Sequence, residues 1–372
     1  MAAGTAIVLF SAFLAAPEGW IAYVSGTDQE TRQVSVLHLG DGEPVRVGGT
    51  DGDGMPVWSP DGQWLAFSTK TEGGLGIRVV RADGTEGRTL PSSSDWNHEP
   101  RWSPDSRRLA WAADTGGGIL QSVMVHELGP GTESAWGGGV QGLLRPVWLP
   151  STDLMKALDP ADKESMEKAG LVALKEEADA GGVLLALALG ESQGGLCTEP
   201  ALVTATKSVP MLALISKDST RFSEWCVEPD HDGRQIAYES NDGGDREIYV
   251  LGRRGIINVT NHRAADWNPV WSNDDKWLAI ESFRGGRRGV YQVLVSTGNA
   301  ITIAAPDNGE CWHPTWSPDD EWIAHASTEA GAPQIFARPA GGGEPAQLTS
   351  EPGGALAPAW RPKVKTPKED RP

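Results

Sequence analysis

The sequence predicts an all-β fold, a seven-bladed β-propeller, and three observations carry that prediction. The stretch PVWSPDGQWLAFST, from Pro56 to Thr69, returns as PRWSPDSRRLAWAA at Pro100, PVWSNDDKWLAIES at Pro269 and PTWSPDDEWIAHAS at Pro314. Neighbouring copies start 44 or 45 residues apart, and a fixed period of that size marks a stacked or radial array. Each period holds the text of four short strands, the content of one blade. A sandwich of regular hairpins is the alternative, but sandwiches do not repeat a motif this closely.

Within one period, Val57-Trp58 is a short first strand. Ser59-Pro60-Asp61-Gly62 then makes a tight turn, in which Pro presets φ and Asp and Gly tolerate the bend. That role accounts for the repeated acids Asp61, Asp105 and Asp319. Trp64 to Phe67 has the aromatic and aliphatic content of a buried second strand. After the Gly73-Gly74 turn, Ile77 to Val80 and Arg88 to Leu90 complete the unit.

Taken in order, residues 1–16 hold the apolar run Ala6 to Ala16. Its length and small-residue end match the apolar region of a signal peptide, although a basic n-region is missing; an N-terminal strand is the alternative. From Trp20 the second, third and fourth strands of a blade follow, without a first. The missing strand stands at the other end, in Pro358-Ala359-Trp360. Residues 358–363 are therefore expected to pair with the N-terminal blade, which removes both exposed sheet edges. The propeller then spans 17–363, and the polar tail 364–372 is expected to be disordered.

The second and third blades begin at Pro56 and Pro100, and the fourth at Pro146. The fourth is interrupted over 151–182 by helical text: Asp159 can cap, Pro160 suits the first helical position, and Gly181-Gly182 stops the run. Met166, Leu171 and Leu174 give this insertion a partial apolar stripe. Later first strands fall near Cys226, Pro269 and Pro314, which makes seven blades, with six as the alternative.

The net charge of −18 argues against nucleic acid, whose phosphates need a basic face. Three cysteines are too few for a disulfide framework, and no Cys spacing suggests a metal, so no cofactor and no metal are expected. No apolar run is long enough to span a bilayer.

The pattern W-S-P-D-G-x-W-[LI]-A resembles the PD40 repeats of the TolB-like propeller family, strongly at Pro56, Pro100, Pro269 and Pro314 and weakly between Leu149 and Glu224. No Gly-His…Trp-Asp signature recurs, so the chain does not look like a WD40 protein. The resemblance implies a periplasmic or extracellular binding scaffold, with a cytoplasmic one as the alternative.

In a propeller, the loops from each fourth strand to the next first strand ring one mouth of the channel, and the second-to-third loops share that face. Here four of those loops set an acid close to a Trp: Asp95-Trp96-Asn97-His98-Glu99, Glu224-Trp225-Cys226, Asp266-Trp267-Asn268 and Glu310-Cys311-Trp312-His313. Aromatic platforms ringed by carboxylates suit a glycan, a small cationic ligand or a protein partner. The competing reading is that the Trp residues only seal blade against blade. The rival function is a lyase or hydrolase acting on a glycan, with His98 and His313 as acid/base candidates and no catalytic residue assigned beyond them. Gly190-Glu191-Ser192-Gln193-Gly194 matches a nucleophile elbow, but the text after it is poor helix text, so no catalytic serine is expected.

Overall fold

The computed structural model describes residues 16–363 apart from 41, 50–51, 115–120, 130, 139–141, 152, 154–175, 178–181, 193–194, 207 and 211–223. The expected signal or strand at the N-terminus, the polar tail, and all but a few residues of the helical insertion lie outside the described residues.

Among the described residues the strands form five four-stranded sheets and one eight-stranded sheet. Neighbouring strands are antiparallel throughout, apart from one parallel contact. That contact pairs Leu75 with Trp96 and joins two four-strand sets, Val57–Trp58 to Arg88–Thr89 and Trp96–Trp102 to Thr132–Trp136, into the eight-stranded sheet. In every set but one, spatial order is sequence order. The exception holds Gly19–Ser25, Gln33–Leu39 and Val45–Arg46, where Ala355–Trp360 takes the first place. Ile21 there faces Trp360, Ala22 faces Ala359, and Ser25 faces Ala355.

The first strands of successive sets touch in a closed circuit: Val57–Trp58, Trp96–Trp102, Leu143–Leu149, Glu224–Pro229, Asp266–Trp271, Cys311–Trp316, Ala355–Trp360 and back. Sheets bury their apolar faces against the next sheet round. Val34, Val36 and Val47 of one pack on Trp58, Leu65, Phe67 and Val80 of the next.

The repeated Trp ties these sheets together. A buried indole needs an acceptor, and each finds the carbonyl one residue before the corresponding position of the preceding set. Trp58 Nε1 donates to Ala359 O at 2.9 Å, Trp102 to Val57 at 3.1 Å, Trp148 to Arg101 at 3.1 Å, Trp271 to Glu228 at 2.9 Å and Trp316 to Val270 at 3.0 Å. Two seams depart from the rule. Pro229 stands where the indole would be, and the buried Trp360 Nε1 has no partner.

The three Ser-Pro-Asp turns, and Ser272-Asn273-Asp274 in the same place, close on themselves. The Ser hydroxyl donates to the Asp two residues on at 2.5–2.7 Å (Ser59–Asp61, Ser103–Asp105, Ser272–Asp274, Ser317–Asp319) and accepts the amide five residues on. Burial pushes the Asp105 and Asp319 carboxyls up, but the Ser hydroxyl and a backbone amide outweigh it and hold both below the usual range.

Candidate functional site

Six of the seven inner strands carry a bulge; Val57–Trp58 pairs in unbroken register. Register slips between His98 and Arg101, Leu144 and Val147, Trp225 and Glu228, Trp267 and Val270, and Trp312 and Thr315. A left-handed, non-glycine residue sits in each slip: Glu99 (φ +56), Arg145 (+49), Cys226 (+45), Asn268 (+48) and His313 (+54). Ala357 (+50) does the same in the closing strand. A bulge leaves its extra residue out of the ladder. In five of these six positions the next residue is Pro, which has no N–H to leave unsatisfied. That is why the repeat begins with proline.

The bulges turn Arg145, Cys226, Asn268 and His313 into one channel cavity of about 460 Å³, which Met55, Arg101, Glu228 and Ala357 also line. Left-handed backbone at ordinary residues costs energy and collects at functional sites. The charges within are loosely paired: Arg101 lies 3.7 Å from Glu228, and Arg145 lies 3.6 Å from Glu99. Glu228 is walled in by protein, yet 29 % of its side-chain surface opens to the channel. Burial pushes its carboxyl up against the pull of Arg101 and Arg145. Burial also pushes the Cys226 thiol well up, with the nearby Glu239 and Glu228 adding to it, so this cysteine is a poor nucleophile.

Two buried carboxylates hold the bulges in place. Glu239 accepts from the Asn268 amide at 2.8 Å. Glu281 accepts from the Asn268 side chain at 2.8 Å and from the His313 amide at 2.9 Å. Each carboxylate reaches the next sheet round, and each carries an Arg from a second-to-third loop: Arg246 on Glu239 at 3.3 Å and Arg288 Nε on Glu281 at 2.5 Å. Those guanidiniums lie over rim aromatics, Arg246 4.0 Å from the Trp225 ring centre and Arg288 5.8 Å from that of Trp312.

The residues expected at the mouth divide into groups. Trp96 is half exposed, and Trp267 meets Phe283 edge to face with ring centres 5.1 Å apart. Asn268 and His313 line the channel. His313 is pushed below the usual imidazole range by burial, and its Nδ1 has no partner. The His98 Nε2 shares a 2.9 Å hydrogen bond with the Gln121 amide. Asp95 and Glu310 are exposed. Asp266 is fully buried on Arg284, 3.0 Å away. Asn97 is buried, braced by Ser92 and by the carbonyls of Leu75 and Ser94, and accepts from Trp111. Glu224 opens its strand, and its side chain lies outside the described residues. Ser192 faces Gly195 across a strand–strand hairpin, a setting unlike an elbow. Arg145, Arg246 and Arg288 escape the sequence reading, and Glu99 and Cys226 enter it only as the last residues of their acid–Trp loops; for Glu99 and Arg145 the following repeat proline is the available signal. Among the described residues no three metal-ligating side chains gather, and no helix is long and apolar enough to cross a membrane.

No family model matches the chain, and neither does any curated protein. Solved structures do. TolB from Acinetobacter baumannii superposes with a TM-score of 0.55 at 17% identity, over 93% of this chain and 67% of that one. The β-propeller domain of the Trilobed protease from Pyrococcus furiosus gives 0.63 at 14%, over 91% and 96%. An oligogalacturonate lyase in complex with manganese gives 0.60 at 14%, over 82% of each. The chain has the fold of a TolB-like β-propeller, and identities this low carry the fold alone.

Proposed function

We propose that residues 17–363 form one seven-bladed propeller that works as a non-enzymatic binding scaffold, taking a protein or small ligand at the mouth that bears Trp96, Trp225, Trp267 and Trp312. The closed circuit of first strands supports seven blades over six. One observation carries the functional reading: strained, non-glycine bulges turn Arg145, Cys226, Asn268 and His313, four different side chains, into a single cavity below an aromatic rim. A purely structural ring has no need of such variety. The apolar run Ala6 to Ala16 and the TolB-like fold support a place outside the cytoplasm.

The test is equilibrium binding by wild type and by Trp267→Ala/Trp312→Ala, with thermal melting as the control for folding. The double variant should melt near wild type and lose at least ten-fold in affinity for ligands recovered on the wild-type chain. Equal affinity in both would remove the mouth as the binding surface.

A second reading, a lyase or hydrolase acting on a glycan, draws support from His313, whose imidazole is pushed by burial below its usual range and which lines the same cavity as Arg101 and Arg145. It requires turnover of a glycan that His313→Ala abolishes while binding persists.

A further inference from the structure

The loop between strands Trp277–Ser282 and Gly289–Leu294 reads Phe283-Arg284-Gly285-Gly286-Arg287-Arg288. It stands at the mouth end, because Ser282 pairs with Asp266 at the start of an inner strand. Its root is fixed by two buried ion pairs. Arg284 lies 3.0 Å from Asp266, and Arg288 pairs with Glu281; both carboxylates are fully buried. Buried ion pairs add little net stability but hold one geometry. The loop is thereby set before any partner arrives, which lowers the ordering cost of binding.

The tip presents what the root does not use. Phe283 is 41% exposed against Trp267. Arg287 is exposed, and among the described residues it has no hydrogen bond or ion pair. Arg288 keeps 33% of its side-chain surface open. The carboxylates at the loop's root, Asp266 and Glu281, are already engaged by Arg284 and Arg288. Of the loop's three arginines, Arg287 is the one without a carboxylate among the described residues, and such a charge favours an anionic partner over a cationic one.

We propose that this loop and Trp267 dock an acidic segment of another protein that carries an apolar anchor side chain. This rests on the reading of the mouth as a binding surface, and it replaces the cationic ligand which the acid–Trp pairs suggest. Clustered Trp and Arg are the composition of protein-binding hot spots. The two rings meet edge to face at 70°, which leaves the open part of Phe283 as an apolar contact for an anchor side chain rather than a broad flat platform for a sugar.

The probes are a Glu-rich decapeptide with one central Phe, its Lys counterpart, and an oligogalacturonate of equal charge, titrated calorimetrically at low and high salt. The Glu peptide should bind, weaken as salt rises, and lose at least ten-fold with Arg287→Glu or Phe283→Ala. Arg287→Lys should recover part of the loss. Arg254→Glu, an exposed site on another hairpin, should change nothing beyond about two-fold. The proposal is overturned if the Lys peptide binds as well, if Arg287→Glu has no effect, or if only the oligogalacturonate binds through Arg287. A failed Glu peptide beside a Trp267/Trp312-dependent ligand of another kind would sink this inference and leave the scaffold reading standing. Loss of Trp dependence for every ligand would sink both.

Discussion

His325 occupies the position filled by Phe67, Trp111, Tyr238 and Ile280 in the other repeats. It is fully buried, its Nε2 has no partner, and burial pushes its pKa down to about 4. The folded pKa thus lies below the unfolded one. The unfolded chain takes up the proton first, so stability is intact above about pH 6.5 and falls as pH drops towards 4, by roughly 3 kcal/mol in all. His325→Phe should keep the stacking on Phe336 and flatten the acid side of a pH–melting profile by that amount. A profile unchanged by the substitution would mean the imidazole is solvated. The motif shows at once that this position is a core position. The cost of a histidine there depends on packing from neighbouring strands, which the sequence does not display.

At the scale of the element, the bulge is the feature the linear text hides. The proline of each repeat is plain in the sequence; the strained residue before it is not, because a slip exists only relative to the partner strand. Arg145 therefore reads as an ordinary strand residue, while Cys226, Asn268 and His313 stand out only through their Trp neighbours. Glu281 shows the energetic side. Its carboxylate serves Asn268, His313 and Arg288 from a fully buried position. Glu281→Ala would leave those donors and the Arg288 charge uncompensated, a loss of about 3–5 kcal/mol, together with a loosened mouth. Glu281→Gln should cost less, since an acceptor remains. Chemical denaturation of the two variants separates them, and equal, small losses would show that water replaces the carboxylate.

At the scale of the molecule, closure organises everything else. The strand supplied by the tail was legible because Pro358-Ala359-Trp360 repeats the opening of the motif. The acid–Trp loops stand out in the sequence, but not how their acids divide between framework and solvent, since Asp266 and Asp95 look alike in one dimension. The channel, the bulges and the rim all presuppose that Ala355–Trp360 lies against Gly19–Ser25. Amide hydrogen exchange, followed in the chain and in a form cut back before Ala355, tests this most directly. Ile21 to Ser25 should exchange as slowly as the equivalent strand Trp277–Ser282 in the intact chain, and become fast after truncation while Trp277–Ser282 stays protected. Equal protection of Ile21 to Ser25 in both forms would contradict it.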